Sequence, residues 1–477
     1  MNGKENDQGG TMSTHETLAA RVRGPVFAPG DEGYDDERTG FQTNDPHRPS
    51  VIVGAEDAGD VRAAVEYAAE NRLPVAVQNT GHGLPLAAEG GLLISTRRMT
   101  GLRITPAAEA GEAGTPAEAG TAWIEAGVRW GQVVPEAAAH GLAPLSGSSP
   151  GVGAVSYVLG GGVGLMSRMY GNAADHVRSI DVVTADARPR HVTPDSDPDL
   201  FWALLGGRAN FGVVTSLEIG LVPVTRLYGG GLYFDAGLIA GVMETWRTWT
   251  AALPDEMTSS IALMPVPALP VFPEPLRGRH VAHVRIAYVG DAAEGERLIE
   301  PLRAVGPRLI DNVRDMPYTE SGTIHNEPPV PMAYHATNFA LDDLDAGTVQ
   351  GLLDLAGPGA PDRAIVEIRQ LGGALAQAPA VPNAVGNRDA GYLVGVLSRL
   401  GPEIDADAVH ALHGRAGDLL DKRSSGRLLN FLFGANATSE QVRASYDAAA
   451  YRRLRELKAV HDPSNLFRLN HNIPPAT

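Results

Sequence analysis

Leu73-Pro-Val-Ala-Val-Gln-Asn-Thr-Gly-His-Gly83 is the stretch on which the fold turns. Its first half, LPVAVQ, is an apolar run of strand length, the pattern of a strand buried on both faces. Its second half, NTGHG, sets two glycines around a histidine. The chain can turn tightly there and leave backbone N–H groups open to whatever packs above them. Such a nest suits a pyrophosphate; the plainer alternative is a turn with a solvated histidine. Working outward, SVIVGA (50–55) reads as a strand, and Asp57 caps a helix whose Val61, Val65 and Ala68 recur at helical spacing to about Asn71. GLLIST (91–96) is a further strand, so a strand–helix–strand–loop–strand unit fills roughly fifty residues.

The chain has 477 residues, enough for two or three domains. With 43% hydrophobic and 20% charged residues it has material for large cores. A formal net charge of -17 argues against nucleic acid or an anionic membrane as a partner. There are no cysteines, which excludes disulfides, thiolate catalysis, iron–sulfur clusters and Cys-ligated zinc. No HExxH or paired-histidine spacing supports metal ligation. No apolar run of about 18 residues is present to span a membrane. The polar first 19 residues read as a disordered tail without a secretory signal, so a cytoplasmic enzyme acting on a small molecule is expected.

Two more glycine-rich segments stand out. The tract Ser146–Gly164 holds Gly160-Gly161-Gly162 between apolar Val155, Val158, Leu159 and Leu165, which a solvated linker would not need. Ser148 and Ser149 add hydroxyl and amide donors. In GGRANFGVVTSLEI, Gly206 and Gly207 end a helix, and Phe211–Ile219 reads as a strand. Neither a GxGxxG following a strand nor a Walker pattern occurs, so a nucleotide would need another geometry. Ala107–Gly120 is of low complexity and reads as an exposed loop. Near Gly229-Gly230-Gly231 the character changes to strands, amphipathic helices and many prolines, and the closing DPSNLFRLNHNIPP is expected to pack back onto an earlier domain.

Taken in order, PVAVQNTGHG, GLAPLSGSSPGVGAVSYVLGGGVG, VVTADA with PDLFWALLGGRANFGVVTSLEI, and HDPSNLFRLNHNIPP resemble the vanillyl-alcohol-oxidase/PCMH superfamily of FAD-linked oxidases, berberine-bridge-enzyme-like branch. The resemblance runs from about Gly30 to the end. It implies an α+β fold: a PCMH-type two-part FAD-binding domain (20–225, completed by 430–477) with an inserted substrate domain (226–429) built on an antiparallel sheet with helices.

The resemblance places the FAD pyrophosphate on Gln78, Asn79, Thr80, Gly81, His82 and Gly83, with His82 bonded covalently to the flavin. A cysteine makes a second bond in many relatives at the position of Ser149, so a mono-covalent FAD is expected here. Ser148, Ser149, Val152, Gly153, Tyr157, Gly160, Gly161 and Gly162 are then expected along the cofactor, Gly212, Val213 and Val214 on its adenine side, and Asn470 and Asn472 closing the site. Val152 matches a position where a small residue accompanies reactivity with oxygen. The implied activity is an oxidase: hydride passes from a hydroxyl- or amine-bearing small molecule (a specialised metabolite or sugar-like alcohol) to flavin N5, and O2 becomes H2O2. The alternatives are a dehydrogenase with another electron acceptor and a flavin-bearing cyclase or binding protein with little turnover.

The chain departs from the pattern at the catalytic base. Gln377 falls where the branch carries a glutamate on a substrate-domain strand, and Phe431 falls where carbohydrate-oxidising relatives carry a tyrosine. Tyr157 is the substitute base on position, if its pKa is lowered. Tyr334, His335 and Arg369 are substrate-side candidates, and His325 reads as a loop residue.

Overall fold

The computed structural model describes residues 14–107, 119–361 and 363–477. The low-complexity loop expected at 107–120 therefore falls mostly outside the described residues, as do residues 1–13. Residues 14–19, expected as part of a disordered tail, are ordered instead: Thr14–Ala19 is a helix, and its Leu18 is fully buried. An apolar side chain at that position has a core to enter, which outweighs the polar composition around it.

Three sheets organise the molecule. The first holds β1 (Val26–Phe27), β2 (Val51–Gly54), β3 (Val75–Gln78) and β4 (Leu92–Ser95) in the order β1-β2-β4-β3, with β2 and β3 both parallel to β4. The parallel pairing needs a crossover, supplied by the helix Ala58–Glu70. Asp57 caps that helix by accepting from the Gly59 and Asp60 N–H groups, while Val61, Ala64, Val65 and Ala68 bury its inner face. The second sheet is antiparallel and comprises β5 (Leu102–Pro106), β6 (Gly120–Glu125), β7 (Val177–Val183), β8 (Pro189–Val192) and β9 (Val213–Leu221), ordered β5-β6-β9-β7-β8. Val213 packs into the core of the first sheet and Val214 into that of the second, so the start of β9 lies between the two.

The third sheet is antiparallel and has nine strands. These are β10 (Arg226–Asp235), β11 (Met257–Pro265), β12 (His280–Tyr288), β13 (Ile310–Asp311), β14 (Arg314–Pro317), β15 (Tyr334–Leu341), β16 (Ile365–Gln370), β17 (Tyr392–Arg399) and β18 (Ser424–Gly426). Its central path runs β10-β12-β11-β16-β17-β15. Strand alternation gives it two different faces. Ile261, Leu263, Val284, Ile286, Val366, Ile368, Val394 and Val396 bury one face with residues of the helices Ile239–Thr250, Ala346–Ala356 and Ala406–Leu420. The other face carries His283 and Arg285 of β12, Ser260 of β11, and Glu367 and Arg369 of β16. Ser260 stands opposite both Arg285 and Arg369 in register.

The C-terminal stretch returns to the first two sheets. The Leu466 carbonyl accepts from the Val75 N–H at 2.9 Å, and Phe467 is fully buried. Lys458 and Asp462, both fully buried, form a 2.6 Å ion pair, and the Lys458 ammonium also donates to the Asn210 carbonyl at 2.6 Å. Asn210 in turn accepts from the Ile473 N–H and donates to the His471 carbonyl. A wholly buried pair of this kind carries few alternatives: losing one partner costs about 3–5 kcal/mol. The tail is therefore locked to the glycine segment that precedes β9. Among the described residues no helix is long and apolar enough to cross a membrane.

Candidate functional site

Four segments far apart in sequence meet at one place: the loop after β3, the glycine tract 146–164, the segment 206–212 and the tail around 470. His82 leaves β3 on the loop whose Gly81 has φ +68°, a conformation that favours glycine. Gly81 also lies so close to Gly40 that a Cβ on either would stand 2.6 Å from the other's Cα. His82 stacks on Phe41, with ring centroids 4.0 Å apart, and its Nδ1 bonds the Thr80 hydroxyl at 2.9 Å. Its Nε2 side faces Gly151. Burial, with a contribution from Arg129, pushes the His82 pKa down to about 4, so the ring is uncharged at neutral pH. A neutral imidazole with one nitrogen engaged and the other turned toward the glycine tract is a competent nucleophile.

The tract itself is shaped by what its glycines exclude. A Cβ on Gly153 would stand 2.6 Å from the Asn79 amide nitrogen, and one on Gly160 would stand 1.9 Å from Asn430 Oδ1. Gly161 and Gly162 have φ of +107° and +80°. The Tyr157 ring lies between Gly147 and Gly162, edge-on to Trp130, and its hydroxyl points at Gly164.

These residues fit FAD on an observation independent of their order in the chain. Gln78 Oε1, Asn79 Oδ1, the Tyr157 hydroxyl, Asn430 Oδ1, Asn470 Oδ1 and Asn472 Oδ1 are all buried without a hydrogen-bond partner. Buried polar atoms are rarely left so, and a cluster of them marks a place for a polar ligand. Five of the six belong to residues that the sequence assigns to the cofactor. Ser148, Ser149 and Val152 are half-buried or more on the same tract, while Gly212 sits against Val182 and Val183.

Beside the glycine tract, a narrow cleft is lined by Ser148, Gly164, Ser260, Arg285, His325 and Arg369, among others. Glu367 binds Arg285 Nη1 through one oxygen and Arg369 through the other at 2.9 Å. Burial works to raise the Glu367 pKa, but Arg369 and Arg285 outweigh it and hold the carboxyl below its usual range. Arg369 also lies 5.0 Å from the centroid of the Phe431 ring. His325 Nδ1 faces Glu367 Oε1 at 3.6 Å and Glu327 Oε1 at 3.8 Å, and Glu327 accepts from the Ser148 hydroxyl at 2.7 Å. Burial, then Arg285 and Arg369, keep His325 uncharged.

Several expectations change here. Tyr157 is unsuited to be the base, because burial and the neighbouring Tyr318 push its pKa up, opposite to the shift a base needs. Gln377 is exposed at the end of the turn Gly373–Ala376, off any strand, and does not line this cleft. His335 lies on the helix-covered face of the third sheet, against His410 and His413, because odd and even residues of β15 point opposite ways. Its neighbour Tyr334 lies on the other face and donates its hydroxyl to the His82 carbonyl at 3.0 Å. His325 is no surface loop residue but closes the helix Gly322–His325, buried in the cleft. Phe41, Arg208, His471, Asn430, Arg285 and Glu367 escaped sequence reasoning. Of these only Arg208 sits inside a segment singled out for its glycines.

Residues 49–193 match the family described as FAD binding domain, and residues 435–474 the family described as berberine and berberine like. The chain thus carries both of these domains, and its homologues lie in the vanillyl-alcohol-oxidase/PCMH superfamily. It is an FAD-dependent oxidoreductase. (R)-6-hydroxynicotine oxidase of Paenarthrobacter nicotinovorans is 28% identical, with 97% of this chain and 99% of that protein covered. The crystal structure of 6-hydroxy-D-nicotine oxidase from Arthrobacter nicotinovorans superposes with a TM-score of 0.79 at 26% identity, covering 95% of this chain and 98% of that one. Xylooligosaccharide oxidase from Myceliophthora thermophila has the same fold, with a TM-score of 0.81 at 20% identity over 97% of this chain and 99% of that one. The α+β architecture implied by the sequence is the one these proteins share.

Proposed function

We propose that this superfamily member is an oxidase of a hydroxyl- or amine-bearing small molecule, with its FAD tethered once, through His82. When bound, FAD supplies hydride acceptance and the passage of the electrons to O2, giving H2O2. The observation that carries the reading is the joining of two sites. A neutral His82 and a cluster of unpartnered polar atoms hold the cofactor, and the charged cleft opens beside Gly164 and the Tyr157 hydroxyl. The absence of cysteine leaves Ser149 unable to form a second tether.

In the cleft, Tyr157 keeps its proton and donates a hydrogen bond to substrate. His325, kept neutral and with Nδ1 unpartnered, is the group in the cleft able to accept the proton that leaves the substrate hydroxyl or amine. Arg369 and Arg285 fix the Glu367 carboxylate. Relatives named as oxidases of 6-hydroxynicotine and of chitooligosaccharides suggest the range within which a substrate should be sought. The half-buried Val152 supports oxygen as the acceptor through its matched position. The test is a panel of cyclic amines and oligosaccharides, following flavin absorbance without air and peroxide with air. Bleaching by a panel member and peroxide equal to product support the oxidase. Bleaching that air does not reverse, with turnover only on an added dye, makes the protein a dehydrogenase.

A further inference from the structure

Arg208 is unlike its surroundings. It interrupts the glycine segment before β9, yet its backbone has φ +54° and ψ -141°, a conformation that favours glycine. Its side chain folds back between two other glycine segments. A Cβ on Gly160 would stand 3.2 Å from Arg208 Nε, and one on Gly83 would stand 3.7 Å from Nη2. The guanidinium thus lies between the loop that carries His82 and the turn that carries Gly160-Gly161-Gly162.

The protein partners of this cation are all neutral. Nη2 donates to the Ser156 carbonyl at 3.2 Å, and Nη1 meets His471 Nδ1 at 3.3 Å. His471 gives its other nitrogen to the Leu432 carbonyl at 2.6 Å, and burial, followed by Arg208 itself, pushes its pKa down to about 3. Its Nδ1 is therefore an uncharged acceptor. Among the described residues no carboxylate pairs with Arg208. Burial draws its pKa down only to about 10, so it remains charged. Arg285 and Arg369, by contrast, share Glu367, and Arg388 bonds Asp175. A charged group held in a strained backbone, without a counter-ion, at the meeting of three glycine segments lacks its partner.

We propose that Arg208 is the cation that meets a negative charge of the bound flavin nucleotide. This rests on the placement of FAD between the His82 loop and the glycine tract. The charge has two sources: the pyrophosphate oxygens, always ionised, or the pyrimidine edge of the flavin ring, which becomes anionic on reduction. Both call for a fixed fork of N–H donors.

The experiment compares wild-type holoprotein with Arg208→Gly and Arg208→Lys for flavin content, thermal midpoint and two-electron midpoint potential. Glycine suits the backbone at 208, so that variant is expected to fold, and lysine keeps the charge. If the partner is the pyrophosphate, Arg208→Gly retains at least tenfold less FAD, the lysine variant recovers part of it, and the potential of the retained flavin is unchanged. If the partner is the reduced ring, flavin content holds and the reduced form is disfavoured at least tenfold, a fall of about 30 mV in potential. Content and potential both unchanged in Arg208→Gly would overturn the proposal. The placement beneath it fails separately, if His82→Ala leaves flavin content, spectrum and acid release all as in wild type.

Discussion

The two halves of the site are built on opposite principles. On the flavin side, glycines clear the space around His82 and Arg208, and six buried polar atoms wait without partners. On the substrate side, the face of the third sheet is crowded with charge whose ion pairs are already made: Glu367 binds both Arg285 and Arg369 before any ligand arrives, with one positive charge in excess and His325 Nδ1 left without a hydrogen-bond partner. A cofactor that stays needs a cradle whose unmet hydrogen bonds it completes. A substrate that comes and goes needs a surface that is stable without it. The difference predicts that substitutions on the substrate side cost folding energy, whereas those on the flavin side cost cofactor.

Glu367→Gln should show this most strongly. It leaves Arg285 and Arg369 facing each other in a cleft where their side chains are 7% and 12% exposed. The expected loss is about 2–3 kcal/mol in urea unfolding, less than for a wholly buried pair because Glu367 keeps some solvent. A loss below about 0.5 kcal/mol, the usual range of a surface substitution, would mean that the charges do not hold the cleft together.

Acid should act next, on the flavin side of the flavin-free protein. His82 and His471 have pKa values pushed down to about 4 and about 3, the main cause in both being burial. The unfolded chain takes up these protons near pH 6.5 and the folded chain does not. Stability is therefore full above pH 6.5 and falls as the pH is lowered, by on the order of 2 kcal/mol for each histidine at pH 5. Unfolding midpoints that stay flat between pH 7 and pH 5 would show that both rings are free to charge in the fold.

The smallest effect on stability belongs to Tyr157→Phe. Its hydroxyl has no partner in the protein, so its removal should change unfolding by less than about 0.5 kcal/mol. The same change should weaken substrate binding or turnover. A large loss of stability would place the hydroxyl in the folding core and not in the cleft.

The same contrast explains what the sequence disclosed. The flavin side was legible because its requirements are local: glycine is the residue that admits a close backbone, and runs such as NTGHG and GGG announce it. Gln78, Asn79, Tyr157, Asn470 and Asn472 were placed at the cofactor by the family resemblance that those runs carry, and each has an orphaned atom. The substrate side was less legible: Arg369 was named, but Arg285 and Glu367 join it only through strand register, and Ser148 and His325 arrive from a loop and a short helix. No spacing along the chain shows that Ser260 will stand between Arg285 and Arg369. The misplacement of His335 has the same origin: one step along β15 moves a side chain from the flavin-facing face to the helix-covered face. Arg208 was passed over inside a quoted motif, because nothing in the letters shows a strained backbone.

The central claim is that the cradle around His82 holds the flavin by a bond to that ring. Its most direct test is peptide mapping of the acid-precipitated protein, following flavin absorbance and mass together. The account predicts a yellow pellet whose flavin lies on the peptide containing His82, and a colourless pellet from His82→Ala. Flavin released wholly into the acid supernatant of the wild type, or found on a peptide without His82, would contradict it.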